Sequence, residues 1–342
     1  MTIPIALIMG CFQRFLHRSV IETTVLGFVL LVIDIIAGGW ISSVPAIADV
    51  FTLNAKELVI ALVIYSFAAA ALPHWLLVTP RDYLSTLMKI GTLVLLVLGI
   101  LIANPSVQMP ALTEFASTST GPTFAGNLFP FLFITIACGA LSGFHGAVSS
   151  GLTPKAVEKE NQIRMIGYGS MLVESFTAVI ALIAAITISQ GVYFSTNMSA
   201  SQISTASGVT LTATSTPDEQ TEAAVKAVNS MKVSDIEGNQ MKVTWDSVDE
   251  NGNAKTYEGA DALKQAASDI GENTIVSRTG GATTFAMGMA NFLKSYLGGH
   301  DSMAFWYHFA IMFEALFILT TVDNAPAWPV IRLVSCWATC AS

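Results

Sequence analysis

Stretches of roughly 17 to 25 nearly uncharged, apolar residues recur along this chain, the length a tilted helix needs to cross ~30 Å of hydrocarbon. They fall near 3–16, 20–41, 58–79, 87–103, 128–149, 166–190 and 304–322, about seven spans in all. Because a bilayer offers the backbone no hydrogen-bonding partners, the fold class they predict is all-α, a polytopic transmembrane helical bundle. Composition agrees: charged residues make up 12% of the chain and hydrophobic ones 53%, against about 25% charged in soluble domains. The first run has no basic leader or small-residue cleavage site, and Arg14 and Arg18 follow it, so it reads as a helix entered partway rather than a cleaved signal peptide.

The loops test this division independently. Arg14 and Arg18, then Arg81 and Lys89, then Lys155, Lys159 and Arg164, then Arg332 fall on alternate connections and mark the inside. The other short connections carry only Lys56, which leaves 191–303 outside. The net charge of −8 is gathered largely within residues 218–278, so no basic nucleic-acid-binding surface is implied. Cys11, Cys138, Cys336 and Cys340 form neither a Cys-x-x-Cys pair nor a disulfide framework.

The predicted organisation is therefore transmembrane helices one to six over 1–190, an extracytoplasmic insert with an interfacial helix over 191–303, a seventh helix over 304–323 and an atypical tail over 324–342. Within the insert, Ser195 to Thr216 reads as a flexible linker and Thr221 to Ser230 as a short helix. Met241 to Trp245 alternates like a strand, and Asn251-Gly252 signals a hairpin into Ala254 to Tyr257. Asp246, Asp249, Glu250 and Asn251 miss calcium-loop spacing and read as a solvated acidic turn; no metal or cofactor motif is present. Between Thr283 and Leu297 an apolar stripe at helical spacing suits the interface or the mouth of the bundle.

Ionisable groups inside the runs carry the functional signal, because each is costly in hydrocarbon unless it faces protein or water. They are Asp34, His74, His145, Glu174, Glu314 and, at a span end, Asp323. Asp34 reads equally as a functional group or as one paired with a neighbour, and His74, after Pro73, reads first as part of a kink. His145 and Glu174 lie on consecutive spans joined by a short loop and are a candidate pair. Gly139-x-x-x-Gly143 suits close helix packing. A helix breaking across Ser142 to Ser150 adds free backbone N–H groups and hydroxyls able to hold a carboxylate, reinforced by a half-helix dipole.

The run Pro130-Phe-Leu-Phe-Ile-Thr-Ile-Ala-Cys-Gly-Ala-Leu-Ser-Gly-Phe-His145 with Ser149-Ser150-Gly151-x-Thr153-Pro154-Lys155 is long and specific. Together with Ile166-Gly-Tyr-Gly-x-Met171-Leu172-x-Glu174-Ser175, Pro80-Arg81-Asp82-Tyr83-Leu84, Gly280-Gly281-Ala282 and Phe313-Glu314-Ala315, it closely resembles the carbon starvation protein (CstA) family over most of residues 1–323. The resemblance implies a secondary transporter of the bacterial inner membrane, built on inverted repeats and importing peptides or pyruvate, with proton coupling expected. Family members are about twice this length, and the sequence after Asp323 departs from their pattern, so a truncated or frame-shifted product is the expectation.

On that reading a small carboxylate or peptide substrate sits near Ser142, Gly143, Phe144, His145, Ser149 and Ser150. Glu174 leads the proton-coupling candidates, with Asp34 and Glu314, and Arg81 with Asp82 forms a cytoplasmic anchor or gate. No His-Glu-x-x-His, Gly-x-Ser-x-Gly or phosphate-cradling motif points to an enzyme. The rival readings are a membrane nutrient sensor and an inactive fragment of such a transporter.

Overall fold

The computed structural model describes residues 2–16, 19–44, 53–72, 75–118, 120–123, 126–130, 132, 157–212, 215–231, 233–235, 237–249 and 252–340. By its internal contacts the chain divides into two units. One takes the chain up to Thr92, the stretch ending at Met165 and the chain from Phe313 onward; the other begins at Leu93 and resumes over Ile166–Met312.

Helices α1 (Thr2–Phe15), α2 (Val20–Ser43), α3 (Ala55–Ala71) and α4 (Val78–Ala103) follow one another in the first part of the chain. The α2 start is capped by the Ser19 hydroxyl, which accepts from the Glu22 N–H at 3.3 Å. At the α3 start the Glu57 carboxylate accepts from the Asn54 N–H at 2.8 Å. In the first unit Ala6, Ala69 and Leu77 form a buried cluster on which Ile3, Leu7 and Tyr65 pack. Ile21, Val25 and Phe28 of α2 and Val63 and Phe67 of α3 stay exposed, a surface suited to hydrocarbon rather than water.

Two expected boundaries move. The fourth span, placed at 87–103, begins at Val78, because Pro80 falls in the first helical turn, where its missing N–H is no loss. The Arg81 N–H already bonds the Leu77 carbonyl at 3.3 Å, so Arg81 and Asp82 are helical rather than part of a loop. The third, placed at 58–79, is the 17-residue α3, which ends at Ala71 with Leu72 extended. Pro73 and His74 lie outside the described residues, as does most of the expected span at 128–149.

Helix α5 (Ile163–Ile186) leads into a folded insert. Its elements are α6 (Gln190–Asn197), α7 (Ala200–Ser207), α8 (Pro217–Ser230), the hairpin β1 (Thr244–Val248) and β2 (Ala254–Glu258), α9 (Gly259–Asp269) and α10 (Ala282–Lys294). The strands pair antiparallel with Trp245 opposite Tyr257. The hairpin forms as expected, with its first strand starting three residues later than the alternation suggested. Gly252 takes φ 80° in the turn, a conformation natural to glycine. The Asp249 carboxylate accepts from the Asn253 N–H at 2.8 Å, so that acidic residue closes the turn.

The stretch expected as a linker from Ser195 instead holds the end of α6 and the whole of α7, and is partly buried. Serine misled the reading because it caps: Ser199 accepts from the Gln202 N–H at 3.3 Å while the Gln202 side chain accepts from the Ser199 N–H at 2.8 Å. Along the apolar stripe after Thr283, Phe285, Met289, Phe292 and Leu293 of α10 are buried, and the Tyr296 hydroxyl donates to the Leu95 carbonyl of α4 at 2.6 Å. Gly288 lets α10 approach α5, since a Cβ there would lie 2.8 Å from the Ala184 Cβ. The last helix, α11 (Met303–Cys340), runs on through the expected tail.

Among the described residues four segments are long and apolar enough to cross a membrane: Val20–Gly38, Val78–Ala103, Glu160–Ile186 and His300–Val322. Ile3–Phe15 is a shorter apolar helix. Among the described residues the architecture is mostly helical, with one small two-stranded sheet in the insert.

Candidate functional site

The segment singled out for substrate, from Ser142, Gly143, Phe144 and His145 to Ser149 and Ser150, lies outside the described residues, and with it the pairing of His145 with Glu174. The coupling candidates are described. Asp34 is half-buried on α2 within Val20–Gly38, and Glu314 is half-buried on α11 within His300–Val322. Glu174 is exposed on α5 within Glu160–Ile186. They occupy three helices, each in a candidate span.

Arg81 is 1% exposed in the first unit. Its guanidinium donates to the Tyr65 hydroxyl and its Cζ lies 5.2 Å from the centre of that ring, so α4 is fastened to α3 by a hydrogen bond and a cation–π contact together. Two residues further along α4, the Tyr83 hydroxyl lies 2.7 Å from the Thr24 hydroxyl of α2. Asp82 directly follows Arg81 on the helix.

Lys89 stands near the middle of α4, inside the candidate span, not at a junction as its charge suggested. The signal that could have placed it was Pro80: once that residue is read as a first-turn proline, the helix must run on through Lys89.

The insert gathers a second polar constellation. The Asp269 carboxylate accepts from Trp245 Nε1 at 2.8 Å, Gln265 Nε2 at 2.8 Å and His300 Nε2 at 3.1 Å. The Ser247 hydroxyl is 3.3 Å from the same His300 nitrogen. A hydrolytic relay needs serine and carboxylate on opposite imidazole nitrogens; here both meet Nε2, so the trio ties β1, α9 and the entry to α11 together without relay geometry. Nearby, burial pushes the Lys294 ammonium below its ordinary value, with Asp269 and Asp246 opposing. Gln265 and Asp269 stand four apart on α9, but nothing in the spacing joins them to Trp245 and His300, 24 and 31 residues from Asp269.

Two adjoining cavities of about 460 and 450 Å³ flank the loop carrying Phe115, and they share Phe115, Gly121 and Pro122. The first is also lined by Met198, Gln202 and Met231, the second by Tyr193 and Phe194. Phe115 meets Phe194 edge-to-face at 5.9 Å. The loop is fixed by Glu114, whose carboxylate accepts from the Ser234 N–H at 3.0 Å. Backbone N–H groups, its own and that of Ser234, hold this carboxyl below the usual range.

Long apolar helices bearing isolated charges, with a folded polar insert between two of them, define a helical membrane protein. The chain belongs to the carbon starvation protein CstA family, whose profile matches residues 1–244 and 226–333. It is 48% identical over 324 residues to a protein of Mycobacterium tuberculosis (strain ATCC 25618 / H37Rv) named peptide transporter CstA, covering 94% of this chain and 38% of the relative. It is 48% identical over 323 residues to the peptide transporter CstA of Escherichia coli (strain K12), covering 94% and 41%. A third relative, the pyruvate/proton symporter BtsT of Escherichia coli (strain K12), is 43% identical over 323 residues, covering 94% and 43%. The chain thus spans less than half the length of these relatives. No solved structure matched it.

Proposed function

We propose that this chain acts in secondary active transport, carrying small carboxylates, pyruvate or peptides, across a bacterial inner membrane with protons as the coupling ion. The observation that carries the reading is the family membership, with relatives named for peptide transport and for pyruvate/proton symport. Charges retained in otherwise apolar spans support it, because intramembrane ionisable groups mark solute and ion pathways.

In this reading the chain contributes seven spans to an inverted-repeat architecture, with the insert outside the cell membrane. The solute carboxylate is received by the hydroxyls and backbone amides of Ser142 to Ser150, beside His145. Glu174 is the leading proton carrier, with Asp34 and Glu314 as further coupling groups, and Arg81 with Asp82 serves as anchor or gate. A sensor reading draws on the two cavities at Phe115, which give the insert a place to hold a ligand.

Uptake of labelled pyruvate and short peptides in transporter-deficient cells, measured across pH, tests the proposal. Saturable accumulation that rises as the outside is acidified is the expected result. Ligand binding without accumulation sinks the transport reading and leaves the sensor.

A further inference from the structure

The two cavities beside Phe115 share that residue with Gly121 and Pro122, and so adjoin. Among the described residues that line them there is no Asp, Glu, Lys, Arg or His. Glu114 stands next to Phe115, but its carboxylate is taken up by the Ser234 N–H at 3.0 Å. A carboxylate solute therefore finds no counter-charge here.

The polar groups of the first cavity are already engaged. The Thr205 hydroxyl donates to the Ser201 carbonyl at 2.9 Å, the Ser201 hydroxyl lies 3.0 Å from that of Ser199, and Gln202 Oε1 accepts from the Ser199 N–H at 2.8 Å. The Thr120 hydroxyl lies 2.9 Å from that of Thr118. A sugar or other polar ligand needs convergent donors and acceptors, and these bonds occupy much of that capacity. What remains is apolar: Met198 and Met231 in the first cavity, Leu112, Leu128 and Phe194 in the second, and Phe115 in both. Methionine adapts to a flexible, irregular partner.

The second cavity lies where two candidate spans end. Shortly beyond the end of α4, the Gln108 N–H donates at 2.8 Å to the carbonyl of Ile186, the last residue of α5. The cavity wall begins just past Gln108, at Pro110, and α6, which brings Tyr193 and Phe194, starts soon after Ile186. Exposed apolar side chains flank this place along the chain: Leu101 and Ile102 in the last turn of α4, Leu112 in the wall itself, and Phe129 beside Leu128. Such a surface suits hydrocarbon rather than water, and a tyrosine at a span end is the usual companion of the membrane interface.

We infer that the paired cavities seat an alkyl chain of a membrane lipid, entering from the leaflet level with the ends of α4 and α5. Such a chain is flexible, uncharged and apolar, as the walls require, and its burial is favourable without any polar contact. It ties the insert to the bilayer through the Phe115 loop and leaves no room there for a soluble ligand. The inference stands independently of the transport reading, and it removes the support that these cavities lend to a sensor.

The test uses the full chain in phosphatidylcholine nanodiscs doped with a phosphatidylcholine that carries a diazirine at the end of one acyl chain. Irradiation and peptide mass spectrometry then locate the adducts. Adducts are expected on Phe115, Tyr193 and Gln202 as well as on the spanning helices, severalfold above those on Tyr257 of the hairpin. Ala206→Trp, in the wall of the first cavity, and Ala111→Trp, in that of the second, fill the space from exposed positions. The first should cut labelling of Gln202 severalfold and the second that of Tyr193, while Phe28 on α2 labels as before. Adducts confined to the spanning helices overturn the inference, and that wild-type result needs no variant to fold. Cavity labelling that survives both substitutions overturns it too, as does labelling that excess trileucine abolishes, since the occupant is then a peptide.

Discussion

At the scale of single residues, the charged side chains differ in what holds them. Asp269 is almost wholly buried and accepts from three side-chain donors. Replacing it with alanine strands Trp245 Nε1 and Gln265 Nε2 in the interior, and Asp269→Ala is expected to lower stability by roughly 2–4 kcal/mol, read by thermal unfolding of the purified chain. Glu114 is exposed, and its effect is one of pH. Its folded carboxyl is held below the reference value of 4.5, so its stabilising contact with Ser234 is fully present above that value. The contact is lost as pH falls through the lower folded value. Amide exchange at Ser234 should therefore quicken on acidification below about pH 4, and Glu114→Gln should flatten that response; an identical profile in the variant would remove Glu114 as the cause. For Glu174 the expected outcome is functional. Glu174→Gln reaches the membrane at normal levels but loses the pH dependence of uptake, and retention of that dependence assigns the proton to another group.

At the scale of elements, close approach and capping decide the fit. Gly288 sits where α10 meets Ala184 of α5, so Gly288→Leu must push the helices apart, at a cost of about 1–3 kcal/mol or more. Limited proteolysis within the insert should rise accordingly. The same scale shows why some segments were legible and others were not. Spans such as Val20–Gly38 and His300–Val322 announce themselves because the bilayer demands length and apolarity of each helix separately. The helices α6 and α7 did not, because serine and threonine serve caps and linkers alike, and only the partner group at Gln202 distinguishes the two. Arg81 was legible as a special residue; its seat against Tyr65 was not, since nothing in the spacing of positions 65 and 81 says that α3 and α4 pack there.

At the scale of the whole molecule, the charge alternation predicts that the insert and the 157–162 connection face opposite sides. A cysteine at Glu222→Cys should react with an impermeant maleimide in intact spheroplasts, and one at Lys159→Cys only after permeabilisation, both positions being exposed. Equal labelling would overturn the alternation. By itself the sequence determined the membrane character, most of the helical segments and the family, because hydrophobic length, loop charge and long motifs are properties of contiguous residues. Only the tertiary structure decided that Lys89 faces Phe317 and Thr320 neighbours Ser85, and that Asp269 gathers Trp245 and His300. Such juxtapositions depend on which helix face meets which neighbour, and packing sets that across separations that periodicity along the chain does not encode.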